Sequence, residues 1–168
     1  MIIPLLWFLA AAGDWSKPVD VTHDDKTCIS YRAKVTGGHL LVDARLEPGW
    51  HTFTMDNDKR AVEKLAGKKA LGVDKPTTIE LQGLGAAGPW LQSQPKDFSQ
   101  PEIRIFTWGF EKLARFAVPV KKTEGSVSLR IRGQACTEAV CKNIDVTLAL
   151  SASAGSAAPD LNGLSPVR

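Results

Sequence analysis

The chain of 168 residues holds only three cysteines, three histidines and two methionines. The histidines, His23, His39 and His51, are dispersed, and no second Cys or His pair lies at ligand spacing, which argues against a zinc site. There is no G-x-S-x-G, no H-E-x-x-H and no paired-carboxylate motif, so hydrolase chemistry finds no support. Lysines and arginines are scattered and the net charge is +3, without the dense basic stripe that nucleic-acid binding requires. Beyond residues 2–12, no apolar run approaches the roughly 20 residues of a membrane helix, so no transmembrane segment is expected in the mature chain. No internal repeat is evident, and the length suits one domain with a sizeable core.

Residues 2–12 read IIPLLWFLAAA, followed by Gly13 and Asp14, with Ala10, Ala11 and Ala12 as the small residues of a cleavage site. The segment 1–13 resembles a short secretory signal, although its start lacks Lys or Arg and a buried first strand is the competing reading. Export would place the cysteines where disulfides persist.

Strand patterns dominate the rest. Residues 27–35 place Ile29, Tyr31, Ala33 and Val35 on one face, and residues 40–46 do the same with Leu40, Val42, Ala44 and Leu46. Further strands are expected over 50–55 after the Pro48-Gly49 turn, over 77–81, 103–107 and 113–120, and in a final pair. Short strands with Gly/Pro turns imply an all-β antiparallel sandwich. Residues 60–71 are the exception, since Val62, Leu65 and Ala66 fit one face of a short helix. Residues 151–168, rich in Ser, Ala, Gly and Pro, read as a flexible tail whose end, DLNGLSPVR, is the piece able to dock.

The final pair carries the chemistry. Residues 126–132 (SVSLRIR) and 144–150 (IDVTLAL) alternate as half-buried strands, and the connection GQACTEAVCKN is too short for a crossover helix. Cys136 and Cys141 therefore fall in the loop of an antiparallel hairpin, at a sheet end near water. A disulfide between them would close so small a ring that its entropic stabilisation is only about 2 kcal/mol, against about 4.7 for a loop near a hundred residues. That is a weak staple, and small exposed rings are the more easily reduced. Glu138 would disfavour a thiolate there while Arg132 and Lys142 would favour it, so no strongly acidic thiol is expected. Cys28 is expected to be free and partly buried. Trp50 and His51 read as a core-filling tryptophan and a histidine at the rim; His51 as an acid/base for the thiol chemistry is the lesser reading, since nothing in the sequence sets it beside the cysteines.

In order along the chain, LEPGWHTF (46–53), PTTIEL (76–81), a segment with Trp90 and Pro95, WGFEKLARFAVPV (108–120) and GQACTEAVCKNIDVTLAL (133–150) together resemble the amino-terminal periplasmic domain of the DsbD thiol:disulfide interchange proteins. The resemblance spans about residues 19–150. It implies an immunoglobulin-like β-sandwich in the periplasm with no cofactor, in which Cys136 and Cys141 cycle between dithiol and disulfide in a protein-disulfide reductase activity. It favours Cys141 as the cysteine that enters mixed disulfides, and it implies an aromatic cap over the pair, for which Phe106, Trp108 and Phe110 are the candidates and Phe98 a further one. The implied partners are thioredoxin-like redox proteins and a separate membrane electron-conducting protein, since the membrane and thioredoxin-like portions of the family architecture do not lie within residues 1–168. Two departures stand out: Lys142-Asn143 replaces the Pro-Pro common after the second cysteine, and residues 56–74 look longer than in many relatives. Two other readings remain, an immunoglobulin-like binding module with a structural disulfide, and Cu(I) handling by the reduced pair, which two methionines support poorly.

Overall fold

The computed structural model describes residues 14–68, 74–151 and 154–168; the expected signal segment 1–13 lies outside them. In chain order the elements are β1 (Val19–His23), β2 (Lys26–Thr36), β3 (His39–Leu46), β4 (His51–Phe53), α1 (Asn57–Lys64), β5 (Thr78–Gln82), β6 (Leu84–Ala86), β7 (Leu91–Ser93), β8 (Lys96–Asp97), β9 (Trp108–Glu111), β10 (Leu113–Lys122), β11 (Ser128–Cys136), β12 (Cys141–Ala149) and β13 (Leu164–Pro166). They form two antiparallel sheets, ordered β1-β2-β3-β10-β7-β13 with β6 joined to β10, and β12-β11-β4-β9-β8 with β5 joined to β11. The class expected from the strand patterns, an all-β sandwich with one short helix, is the one observed.

Period-2 alternation builds the core between the sheets. Tyr31, Leu40, Val42, Phe116 and Val118 of the first sheet meet Leu129, Ile131, Ile144 and Leu148 of the second. Cys28 belongs to this core as well. Val21 pairs with Ile29 but Thr22 pairs with Thr27, so Cys28 is the extra residue of a β-bulge, which lets it and its neighbour Ile29 both turn inward. Its thiol donates to the Val21 carbonyl at 3.1 Å, and Cys28 is fully buried rather than partly so.

Three segments differ from expectation. The helix runs from Asn57 to Lys64, earlier than 60–71; Ala66 and Gly67 take positive φ, and the Gly67 N–H closes on the Val62 carbonyl in the manner of a helix end. Its buried residues are Asn57 and Ala61, one turn apart, and Val62 faces solvent. Residues 103–107 are not a strand: Pro101 opens a 3-10 turn over Pro101–Ile103, and Arg104 at φ 57° ends it, leaving only an isolated bridge between Gln100 and Ile105. The alternation of Ile103 and Ile105 is real, but a proline and a left-handed residue interrupt the backbone it needs.

Residues 154–168 are not a free tail. Gly155 exchanges backbone hydrogen bonds with Val35 and Gly37, the Thr36 hydroxyl donates to the Ala157 carbonyl at 2.6 Å, and β13 pairs with β7. A short strand such as β7 presents unpaired amides and carbonyls, and β13 satisfies them. Arg168 closes the arrangement by donating its backbone N–H to Asp56 at 3.0 Å.

Candidate functional site

The hairpin strands reach further than the sequence patterns indicate. β11 ends at Cys136 and β12 begins at Cys141, which are direct partners in the ladder and joined by a disulfide. The cysteines are thus the last rung of the hairpin, and only residues 137–140 turn. That turn is closed by the Thr137 N–H on the Val140 carbonyl, while the Thr137 hydroxyl accepts from the Ala139 and Val140 amides.

Register then sets what stands beside the pair. On its other side Cys136 is the ladder partner of His51, and His51 in turn is the partner of Glu111. Directly opposed residues of an antiparallel pair project from the same face, with Cβ atoms about 4.5–5.5 Å apart. Cys141, Cys136, His51 and Glu111 therefore form one row across β12, β11, β4 and β9. Ala135 and Ile131 of β11 face the core, so this row lies on the outer face of the second sheet. Cys141 is exposed on that face, whereas Cys136 is only 2% exposed.

Aromatic and charged groups gather at the His51–Glu111 end of the row. Phe98 stacks on His51, ring centroids 4.7 Å apart and planes 17° from parallel, and Phe53 meets His51 edge-on at 5.3 Å. Lys96 reaches over the Phe98 ring at 5.2 Å and holds the Glu111 carboxylate at 3.1 and 3.2 Å. Burial pushes the His51 pKa below its ordinary value; Asp74 and Glu111 pull it back up, and Lys96 pushes it further down.

The three aromatics expected as a cap are separated by the fold. Phe110 is buried among the core residues, edge-on to Phe116 at 5.7 Å. Trp108 is half-buried and lines a surface cleft with Arg60, Asp97 and Arg168. Phe106 is half-buried in the loop before β9. The ring that reaches the row is Phe98. His51 is the residue that sequence reasoning considered but did not place beside the cysteines; strand-strand register places it there, and register is not readable from local patterns.

The expected electrostatics also change. Arg132 is engaged by Glu80 in an ion pair. Lys142 is the ladder partner of core-facing Ala135, so it points to the other face from Cys141. Asn143, one of the two residues noted as a departure, accepts from Gln134 at 3.3 Å and from the Lys75 ammonium at 3.1 Å, so hydrogen bonds brace this stretch. Among the described residues, no group of three or more His, Cys, Asp or Glu side chains is arranged to hold a metal ion. No helix among them is long and apolar enough to cross a membrane.

Fold and site together define a β-sandwich of immunoglobulin type with a disulfide at the turn end of a hairpin. The chain has the fold of the DsbD amino-terminal domain: it is similar to that domain from Neisseria meningitidis in the reduced form, at a TM-score of 0.52 and 15% identity over 84% of this chain and 91% of that one. It is also similar to a structure of the complex between the DsbD and PilB N-terminal domains from Neisseria meningitidis, at a TM-score of 0.50 and 14% identity over 83% of this chain and 94% of that one. No family model and no curated protein sequence matches the chain.

Proposed function

We propose that this protein is an exported, periplasmic thiol-disulfide exchange module that passes electrons between protein partners through the Cys136/Cys141 pair. The observation that carries the proposal is the asymmetry of the disulfide. Cys141 is open to solvent, while Cys136 lies buried as the ladder partner of His51, on which Phe98 stacks. An incoming thiolate of a thioredoxin-like partner attacks the Cys141 sulfur, a partner–Cys141 bond forms, and the electron pair of the broken bond leaves on Cys136. The partner's second thiolate then attacks the partner sulfur, which closes the partner's disulfide and releases Cys141. In the opposite direction Cys141 attacks a substrate disulfide, and Cys136 resolves the mixed disulfide. The membrane protein expected to feed such a module would act through the thioredoxin-like partner.

Of the aromatics considered, Phe98 is the one this reading assigns as the cap, because it covers the neighbour of the buried cysteine and sits in the loop-rich stretch between β8 and β9 rather than in the core. Phe98→Ala should speed reduction of the disulfide by dithiothreitol several-fold with little change in its equilibrium potential; an unchanged rate removes Phe98 from that role.

The exchange reading is tested by redox titration in glutathione and dithiothreitol buffers, with thiol trapping and peptide mass analysis for each cysteine. Cys136 and Cys141 should titrate together as a two-electron couple above about −300 mV, while Cys28 stays a thiol throughout. A pair that remains oxidised well below that potential is a structural disulfide, and the chain is then a binding module.

A further inference from the structure

We propose that His51 is the proton carrier for Cys136, taking the thiol proton when Cys136 attacks Cys141 and returning it when Cys136 is expelled. The inference rests on the exchange reading and adds to it the group that makes a buried sulfur reactive.

A buried thiolate is disfavoured because it loses hydration, so a cysteine in the position of Cys136 needs a partner for its proton or its charge. The cations nearest in sequence do not supply one: Arg132 is paired with Glu80, and Lys142 projects from the opposite face. Cross-strand register instead sets His51 directly beside Cys136 on the face that carries the disulfide. The imidazole is held there by Phe98 on its face and Phe53 at its edge, so it cannot swing away into solvent without breaking that stack. The charged groups that face it are Asp74 from the segment before β5, Glu111 from β9 and Lys96 from β8, and Lys96 compensates Glu111 directly. With burial added, the imidazole is neutral near pH 7 and has a free lone pair for a proton.

In the resolving step, neutral His51 accepts the proton of the Cys136 thiol. The thiolate attacks the Cys141 sulfur of the mixed disulfide, the Cys136–Cys141 bond forms, the Cys141–partner bond breaks, and the electron pair departs on the partner sulfur. The proton on His51 then passes to that leaving thiolate or to water. In the reverse step His51 takes up the proton that the partner thiol loses on becoming the attacking thiolate, directly or through water, and passes it to Cys136 as that sulfur is expelled, which keeps a bare thiolate from persisting in a buried site.

The test uses the fully reduced protein and 5,5′-dithiobis(2-nitrobenzoate). Attack by the exposed Cys141 releases one thionitrobenzoate, and resolution by Cys136 releases the second, so the second phase reads the proposed step by absorbance. Across pH 5 to 10 the unaltered protein should show a second phase that already proceeds near neutrality. His51→Phe, which keeps a ring against Phe98, and His51→Gln should slow that phase on the order of tenfold or more at pH 7 and converge with the unaltered protein once the solvent deprotonates Cys136 directly. The first phase should stay within about twofold in both variants. Equal pH profiles for the second phase in the unaltered protein and both variants overturn the His51 assignment and leave the exchange reading standing. Failure of the unaltered protein to release any second equivalent overturns the exchange reading, and this proposal with it.

Discussion

Asp56 shows how one carboxylate can tie distant parts of this chain together. Its side chain is 1% exposed; it accepts from Arg60 at 2.8 Å, from the Gln92 amide at 3.0 Å and from the Arg168 backbone at 3.0 Å. Burial alone would raise its pKa, but the Arg60, Arg168 and Gln92 hydrogen bonds outweigh it and bring the value down to about 2. The unfolded value is near 3.9, so this stabilisation is fully present above about pH 4 and is lost as the pH falls through about 2. Asp56→Asn should therefore lower stability at pH 7 by on the order of 2 kcal/mol in urea unfolding, with the gap to the unaltered protein closing toward pH 2. His51 has the same sign for a different reason. Its folded pKa lies below the unfolded value of about 6.5, so the stability it confers is present above that pH and drains away as the pH drops. The oxidised protein should lose stability between pH 7 and 5, and His51→Phe should flatten that slope; parallel slopes would contradict the burial of a neutral imidazole.

At the scale of elements, the site depends on how closely strands approach. A Cβ added at Gly109 of β9 would stand 2.1 Å from the Thr52 carbonyl oxygen of β4, the strand that carries His51. Backbone rather than a side chain is in the way, so Gly109→Ala has to spread β4 from β9 and should destabilise by about 3 kcal/mol or more, seen as a lowered denaturation midpoint with unchanged m. The carboxy-terminal segment supplies a second case. Removing residues 152–168 strips β13 from β7 and takes away the Arg168 hydrogen bond to Asp56, which should lower stability by about 2–4 kcal/mol in urea unfolding. The cysteine pair lies in the other sheet, at its β12 side, so its redox titration should be unaltered by the truncation.

For the whole molecule, the disulfide links residues that are already ladder partners at the end of a two-stranded hairpin. The sandwich core of Tyr31, Phe116, Leu129 and Ile131 does not involve it. Reduction should thus leave the fold standing, with a stability loss of no more than about 2 kcal/mol, checked by comparing urea unfolding of the oxidised and reduced protein. A domain that survives both redox states can cycle between them; one that unfolds on reduction cannot serve as an exchange module.

Much of this was legible in residue order. The alternation of Ile29, Tyr31, Ala33 and of Leu129 with Ile131 identifies half-buried strands because a pleated backbone sends successive side chains to opposite faces. The five-residue separation of Cys136 from Cys141, between two such strands, already put the thiols at a sheet end. Local patterns were silent where neighbours come from afar. Cys28 is buried because a bulge turns it inward, and β13 is anchored because β7 leaves an edge to be filled. Ile103 and Ile105 alternate like a strand, yet the 3-10 turn over Pro101–Ile103 and the left-handed Arg104 leave only a single bridge from Ile105 to Gln100. His51 lies 85 residues before Cys136 and meets it only through the register of β4 on β11. Periodicity reports which face a side chain takes, a property of the local backbone; which side chains then share that face depends on strand pairing, and pairing is decided by the packing of the complete sandwich.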